Sequence, residues 1–220
     1  MTRTLGQFVD QEGILESLRE AITQINAQAT GEAKRLSKLE QLPPVQCFKC
    51  TARKACCMSV VVARFYEGVV VAAHLVQAKR DTPELRDQLR AAATAMEAAS
   101  PYEWRVPCVF LDAADRCTVY TARPTACGTL YVYSPPVNCN TPGAPVRAYI
   151  AQAENATATM LEDQFRGRLA LRKKVGRRYL GVLPRMVLLA LETWDRADYR
   201  DVLHDYAWPT DADVERWNRQ

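Results

Sequence analysis

The 220-residue chain has few histidines and glycines and no long hydrophobic run. Its two histidines, His74 and His204, stand too far apart for a His-Glu-x-x-His zinc site, and its nine glycines form no phosphate-cradling loop. No serine, histidine and aspartate follow the order of a known catalytic triad. The longest apolar stretches, near residues 69–76 and 186–191, fall short of the ~20 residues that span a bilayer. These absences argue against a transmembrane protein and against the commonest nucleotide-binding and hydrolytic sites.

Bulk composition is that of an ordinary globular protein, with 48% hydrophobic and 25% charged residues. The length allows one large domain or two small ones. The first residues have no apolar core and no small-residue cleavage site, so we predict no secretory signal and expect a cytoplasmic protein.

Cysteine is the informative residue type. All eight cysteines lie in one part of the chain, which indicates a unit with its own chemistry. Disulfides, metal ligation and buried inert thiols are the three explanations. The eight candidates are Cys47, Cys50, Cys56, Cys57, Cys108, Cys117, Cys127 and Cys139.

Metal ligation fits this pattern best. Disulfides need an oxidising compartment, and no export signal is visible. Inert burial explains one or two thiols rather than eight. The Cys47-x-x-Cys50 spacing brings two sulfurs within reach of one ion. Eight thiols could form two four-sulfur sites, or one site with four spare thiols.

The thiol ligands and their spacing limit the choice of metal. Calcium and magnesium prefer oxygen ligands, whereas thiolates suit zinc or iron–sulfur clusters such as [4Fe–4S]. A zinc site usually shows two Cys-x-x-Cys pairs, and this chain has one. Adjacent side chains such as Cys56 and Cys57 diverge and suit a cluster with several metal corners. The sequence therefore favours an iron–sulfur cluster over zinc.

The pattern along the chain predicts an α+β protein that is mostly helical. We expect a long N-terminal helix and C-terminal helices to pack around a small cysteine-rich metal-binding core with a β-hairpin. The predicted regions are an N-terminal amphipathic helix at 1–44, a cysteine-cluster metal-binding domain at 45–143 and a C-terminal helical region at 144–220.

Apolar periodicity and capping residues predict the helices. One helix over 7–41 has an apolar stripe that could pack on its own domain or serve a protein partner, the first being commoner. A short extended segment should follow at the β-branched run near residue 61. Further helices are expected at 67–79, 83–99, 147–168 and 184–196, with Thr82 as the N-cap of the second.

Two structures are predicted for the cysteine-bearing turns. Residues 107–120 have the pattern of a β-hairpin turning at Asp112–Asp115, with one cysteine on each strand. The Arg123-Pro124 dipeptide should begin a tight turn or short helix that carries Cys127.

The spacing of these motifs resembles the YkgJ-type cysteine-cluster family, whose domain is described as zinc- or iron-chelating. The resemblance covers residues 45–140 and implies that the cysteines up to Cys127 are ligands, with Cys139 an eighth. Five residues separate Cys50 from Cys56, where the family's label has four. A related cluster in flagellin lysine-N-methylases is associated with an iron–sulfur centre. The motifs are Cys47-x2-Cys50-x5-Cys56-Cys57, Cys108-Val109-Phe110-Leu111-Asp112, Cys117-Thr118-Val119-Tyr120 and Arg123-Pro124-x2-Cys127.

A basic run at 166–178 keeps other functions open. It contains seven cations and no acid, and could contact a phosphate backbone, although such runs are more often solvated. The seven cations are Arg166, Arg168, Arg172, Lys173, Lys174, Arg177 and Arg178. The candidate functions are thus a metal-binding or redox protein, an enzyme such as a protein lysine methylase with the cluster domain as scaffold, and a nucleic-acid-binding protein. The sequence does not decide whether the protein is an enzyme.

Overall fold

A computed structural model describes residues 3–45, 47, 55–99, 104, 106–141, 144–149, 151–172 and 177–218. The fold is a mostly helical α+β structure, as predicted. The α-helices are α1 (Leu5–Gln11), α2 (Ile14–Leu39), α3 (Phe65–Gln77), α4 (Pro83–Ala98), α5 (Thr125–Gly128), α6 (Gln152–Arg168), α7 (Leu183–Thr193), α8 (Tyr199–Asp205) and α9 (Asp211–Asn218). The strands are β1 (Val62–Arg64) and β2 (Leu180–Val182), and three 3-10 helices cover Ala55–Met58, Tyr120–Ala122 and Pro136–Asn140.

Two strand–helix units form the centre of the molecule. Strand β1 runs directly into α3 and β2 directly into α7, and the strands pair antiparallel with Val62 opposite Val182. The Leu183 N–H donates to the Val61 carbonyl at 2.7 Å, and the Phe65 N–H donates to the Tyr179 carbonyl at 2.8 Å. Backbone hydrogen bonds therefore tie together the starts of the two central helices, although more than a hundred residues separate them in the sequence.

Helices α3 and α7, the central helix pair, pack closely enough to require a glycine. A Cβ atom added at Gly68 would lie 2.5 Å from the Met186 carbonyl oxygen. Both helices are apolar around most of their circumference, which is typical of helices buried on several sides. Helix α4 covers a further face of α7.

The N-terminal segment differs from its prediction. Residues 7–41 form two helices rather than one, because Gly13 adopts a left-handed conformation with φ of 62° between α1 and α2. The apolar stripe of α2 packs on α3, α5 and α6 of the same chain. Its residues from Leu18 to Ala33 are therefore already covered, while Leu39 at the end of α2 is 65% exposed.

The predicted hairpin at 107–120 is reduced to a tight turn. A single antiparallel bridge joins Leu111 and Cys117, and the Thr118 N–H donates to the Phe110 carbonyl at 2.8 Å. Regular pairing stops there because Cys108–Leu111 is itself a turn and the 3-10 helix begins at Tyr120. Within the described residues, the sheet consists of β1 paired with β2. Strand β2 was not predicted from the sequence.

The other helices follow their predictions with shifted ends. Helices α3 and α4 match to within two residues at each end, and Thr82 caps α4 by accepting a hydrogen bond from the Leu85 N–H. Helix α6 begins at Gln152 rather than 147, and α7 ends at Thr193 rather than 196.

The main hydrophobic core takes side chains from all three predicted regions, including Leu18, Phe110 and Leu188. The proposed division at 44 and 143 stays a prediction about the sequence. Among the helices of the described residues, none combines the length and the hydropathy needed to cross a bilayer.

Candidate metal centre

Residues 45–143 are here called the cysteine segment, and short turns and single-turn helices carry its described cysteines. Cys56 and Cys57 lie on the 3-10 helix Ala55–Met58, and Cys127 lies on the four-residue helix α5. Cys108 and Cys117 flank the tight turn of the reduced hairpin. The Cys108 N–H donates to the Cys57 carbonyl at 2.8 Å, which joins two of these turns directly.

Asp112 closes the turn between Cys108 and Cys117. One carboxylate oxygen accepts hydrogen bonds from the Ala114 and Arg116 N–H groups, both at 2.9 Å. The Arg116 amide in particular lowers the pKa of Asp112. This carboxylate therefore shapes the turn, as the sequence predicted.

The same turn is anchored on the hydrophobic core. Phe110 and Val119 are 2% and 1% exposed and belong to the main core, while Cys108 and Cys117 lie partly buried against it. The alternation of cysteine and core residue in Cys108-Val109-Phe110 thus fixes the thiol at the edge of the core.

Five cysteines, the five-thiol group, lie close enough to influence one another's protonation. They are Cys56, Cys57, Cys108, Cys117 and Cys127. They come from three separate stretches of the sequence, and all of them are reduced. Folding alone therefore brings together sulfurs that are up to seventy residues apart.

The adjacent pair in this group is electrically asymmetric. The hydrogen bond between the two side chains raises the pKa of Cys56, with burial adding to the effect. The same bond lowers the pKa of Cys57, against the opposing effects of burial and of the Cys127, Cys108 and Cys117 thiols. Cys57 is therefore the member of the pair more readily converted to a thiolate, the form that binds metals.

Burial raises the pKa of the Cys108 thiol. The residue Cys127 is exposed at the surface, yet the protein packed around its sulfur also raises the pKa of that thiol. The neighbouring thiols Cys108 and Cys117 raise it further, because each additional negative charge in the group is unfavourable. A bound cation would remove this repulsion.

The thiols of the five-thiol group lie near one another but do not form a metal-coordination geometry. Within the part of the chain that the structure describes, no three histidine, cysteine, aspartate or glutamate side chains stand ready to hold one ion. The donor chemistry fits a thiophilic metal, which would require the sulfurs to move into coordination geometry.

Of the three remaining cysteines, the structure describes Cys47 and Cys139. Cys47 accepts a hydrogen bond from the Val132 N–H at 3.1 Å and packs beside a second, smaller apolar cluster. Cys139 lies on the 3-10 helix Pro136–Asn140, which contacts the 3-10 helix of Cys56 and Cys57. Cys50 falls outside the described residues.

A buried carboxylate that the sequence reading missed lies next to the five-thiol group. Glu67 is 1% exposed and accepts hydrogen bonds from the Arg64 N–H and from both the N–H and the hydroxyl of Thr125. Its charge also acts on the Cys127 thiol. The sequence signal was available: Glu67 stands three residues after the N-cap of α3, where a capping box places a glutamate.

Residues 46–142 match a family model, CxxCxxCC, described as "Putative zinc- or iron-chelating domain". The match covers most of the cysteine segment. The match supports metal binding by the segment and agrees with the cysteine-cluster resemblance seen in the sequence. Neither the curated proteins nor the solved structures gave a match to the chain.

The basic run lies outside the CxxCxxCC domain, and several of its cations make contacts within the protein. Arg166 donates to the Leu171 carbonyl at 3.0 Å, Arg177 donates to the Trp208 carbonyl at 2.6 Å, and Arg178 pairs with Asp211 at 2.6 Å. These three cations stabilise the C-terminal helices. Lys173 and Lys174 fall outside the described residues.

Proposed function

We propose that the protein carries a cysteine-ligated metal centre in its CxxCxxCC domain, with an iron–sulfur cluster favoured over zinc. The observation that carries the proposal is the five-thiol group, in which thiols from three stretches of the chain act on one another. Once ionised, these thiolates would repel one another unless a cation balanced their charges. The family description supports the same chemistry.

The number of gathered thiols favours a cluster. A structural zinc ion takes four ligands, and the five-thiol group exceeds that number before Cys47, Cys50 and Cys139 are counted. A polynuclear iron–sulfur centre, of the [4Fe–4S] type or with two clusters, accommodates adjacent sulfurs such as Cys56 and Cys57 on different metal corners.

The proposed ligand set contains all eight cysteines, divided into the five inner ligands of the five-thiol group and the three outer ligands Cys47, Cys50 and Cys139. The five-thiol group supplies the inner ligands, and Cys57 is the thiol most readily ionised. Cys139 approaches from the neighbouring 3-10 helix. Reduced thiols at every described position agree with a cytoplasmic location, where disulfides are rare.

Metal analysis of anaerobically purified protein tests the proposal. We expect iron and acid-labile sulfide, a brown colour, and loss of both on changing Cys57 or Cys127 to serine. Ala126→Ser is the matched control, because it adds the same hydroxyl at an exposed position beside Cys127 and should retain the metal. Stoichiometric zinc in a colourless protein would exclude the cluster but keep the centre. If the protein holds no metal after reconstitution with iron and sulfide or with zinc, both the iron–sulfur cluster and the zinc centre are excluded.

A further inference from the structure

Glu67 is not one of the proposed thiolate ligands, yet it is almost completely buried beside the five-thiol group. We infer that Glu67 is a positioning residue that fixes α5, and with it Cys127, in the orientation that metal binding requires. The inference rests on the proposed metal centre and adds to it a residue that is not itself a ligand.

The hydrogen bonds of Glu67 join two elements that are far apart in sequence. One carboxylate oxygen accepts from the Arg64 N–H at 2.7 Å, at the start of α3. The other accepts from the Thr125 N–H at 2.7 Å and from the Thr125 hydroxyl, at the start of α5. The carboxylate thus fastens a four-residue helix to the beginning of the central helix pair.

Only a carboxylate satisfies this arrangement. All three partners are donors, so both oxygens of the side chain at position 67 must accept. Glutamine would turn its NH₂ group toward the Arg64 N–H or toward Thr125, and would leave buried donors unpaired. The same bonds occupy both oxygens of Glu67, which is why we assign it a positioning role rather than a ligand role.

The position of α5 depends on tertiary contacts, which include its packing on α2 and the hydrogen bonds of Thr125 to Glu67. A helix of four residues has almost no internal hydrogen bonding, so tertiary contacts must hold it. Cys127 follows Thr125 by two residues, and its N–H donates to the Pro124 carbonyl in the same turn. Fixing Thr125 therefore fixes the short stretch of backbone from which the Cys127 side chain projects.

The test measures cobalt binding to the full-length, reduced protein by thiolate-to-metal charge-transfer absorption, and zinc affinity by chelator competition. We expect Glu67→Gln to weaken zinc binding by about 10- to 100-fold, the range for residues that orient metal ligands. The thiolate absorption should fall as it does in Cys127→Ser. Glu97→Gln is the control, because it breaks a carboxylate contact to Arg185 between α4 and α7 and should leave both readings unchanged.

A double variant separates positioning from general weakening. If Glu67 acts through Cys127, adding Glu67→Gln to Cys127→Ser costs no further affinity. Two outcomes would overturn the inference but leave the ligand assignment of Cys127 intact. In the first, Glu67→Gln lowers zinc affinity equally in the wild-type and the Cys127→Ser protein. In the second, Glu67→Gln binds zinc like the wild type while Cys127→Ser does not. Wild-type binding by Cys127→Ser would overturn the ligand assignment and the inference together.

Two variants of Thr125 keep the inference testable if Glu67→Gln does not fold. Thr125→Ser keeps the hydroxyl that donates to Glu67 and should bind zinc like the wild type. Thr125→Val removes only that donor at nearly the same volume and should weaken zinc binding and reduce the cobalt absorption. Equal binding by the two variants would contradict the role of the contact.

Discussion

The central helix pair and the chain between α4 and α6 are organised in opposite ways. In α7, nine of eleven residues are buried, and α3 packs on it at the closeness that Gly68 allows. Residues 106–141 have no long helix or strand, and their secondary structure consists of short helices and two isolated bridges, one of them to Ala148. Exposed apolar side chains such as Val106, Tyr120 and Val137 lie within this stretch.

This difference indicates two sources of stability. Apolar burial at roughly 25 cal/mol per Å² is enough to hold the helices together. The chain from 106 to 141 buries a smaller share of its residues, among them Phe110, Val119 and Tyr131–Tyr133, so we expect its order to depend also on what its thiols bind. The helical core should therefore be insensitive to metal, and the cysteine turns sensitive.

Metal removal should produce the largest contrast. Structural zinc contributes of order 10 kcal/mol to the folding of small domains. After chelation, the protein should therefore lose order in the cysteine-bearing turns, which bury few apolar side chains. We expect hydrogen exchange to accelerate by orders of magnitude over residues 106–141 while α7 keeps its protection. Mass spectrometry of peptides from both regions measures this. Equal loss of protection in α7 would show that the two regions are not independent.

A core truncation should give the converse result. Leu75 on α3 is fully buried, so Leu75→Ala should lower the free energy of unfolding by about 2–5 kcal/mol. Leu39→Ala, at a position 65% exposed, is the matched control and should change it by less than about 0.5 kcal/mol. Urea unfolding followed by circular dichroism gives both values. If the two truncations change the free energy of unfolding by similar amounts, the central helix pair is not the main source of stability.

The pH dependence of metal affinity should give the smallest effect. Burial raises the pKa of Cys108, and burial with neighbouring thiols raises that of Cys127, so both are protonated at neutral pH in the metal-free protein. A metal must displace these protons, and affinity should therefore rise with pH, by about tenfold per pH unit for each proton released. Zinc competition at several pH values, corrected for the chelator, measures the slope. A flat profile would mean that the ligands are already ionised.

The sequence alone determined the features that depend on local chemistry. Helices α3 and α4 were predictable from apolar periodicity and from Thr82, because capping and amphipathicity are encoded within a few residues. The spacing of the thiols, a property of the chain before it folds, predicted metal binding, and the family-model match over residues 46–142 supports that prediction.

Only the tertiary structure decided the features that depend on distant residues. The pairing of β1 with β2, and the contact from Glu67 to Thr125, join parts of the chain that no local pattern links. The same is true of the five-thiol group, since spacing identifies sulfurs that can bind a metal but not which of them meet. Local propensity fixes short segments, whereas burial and long-range hydrogen bonding choose their neighbours.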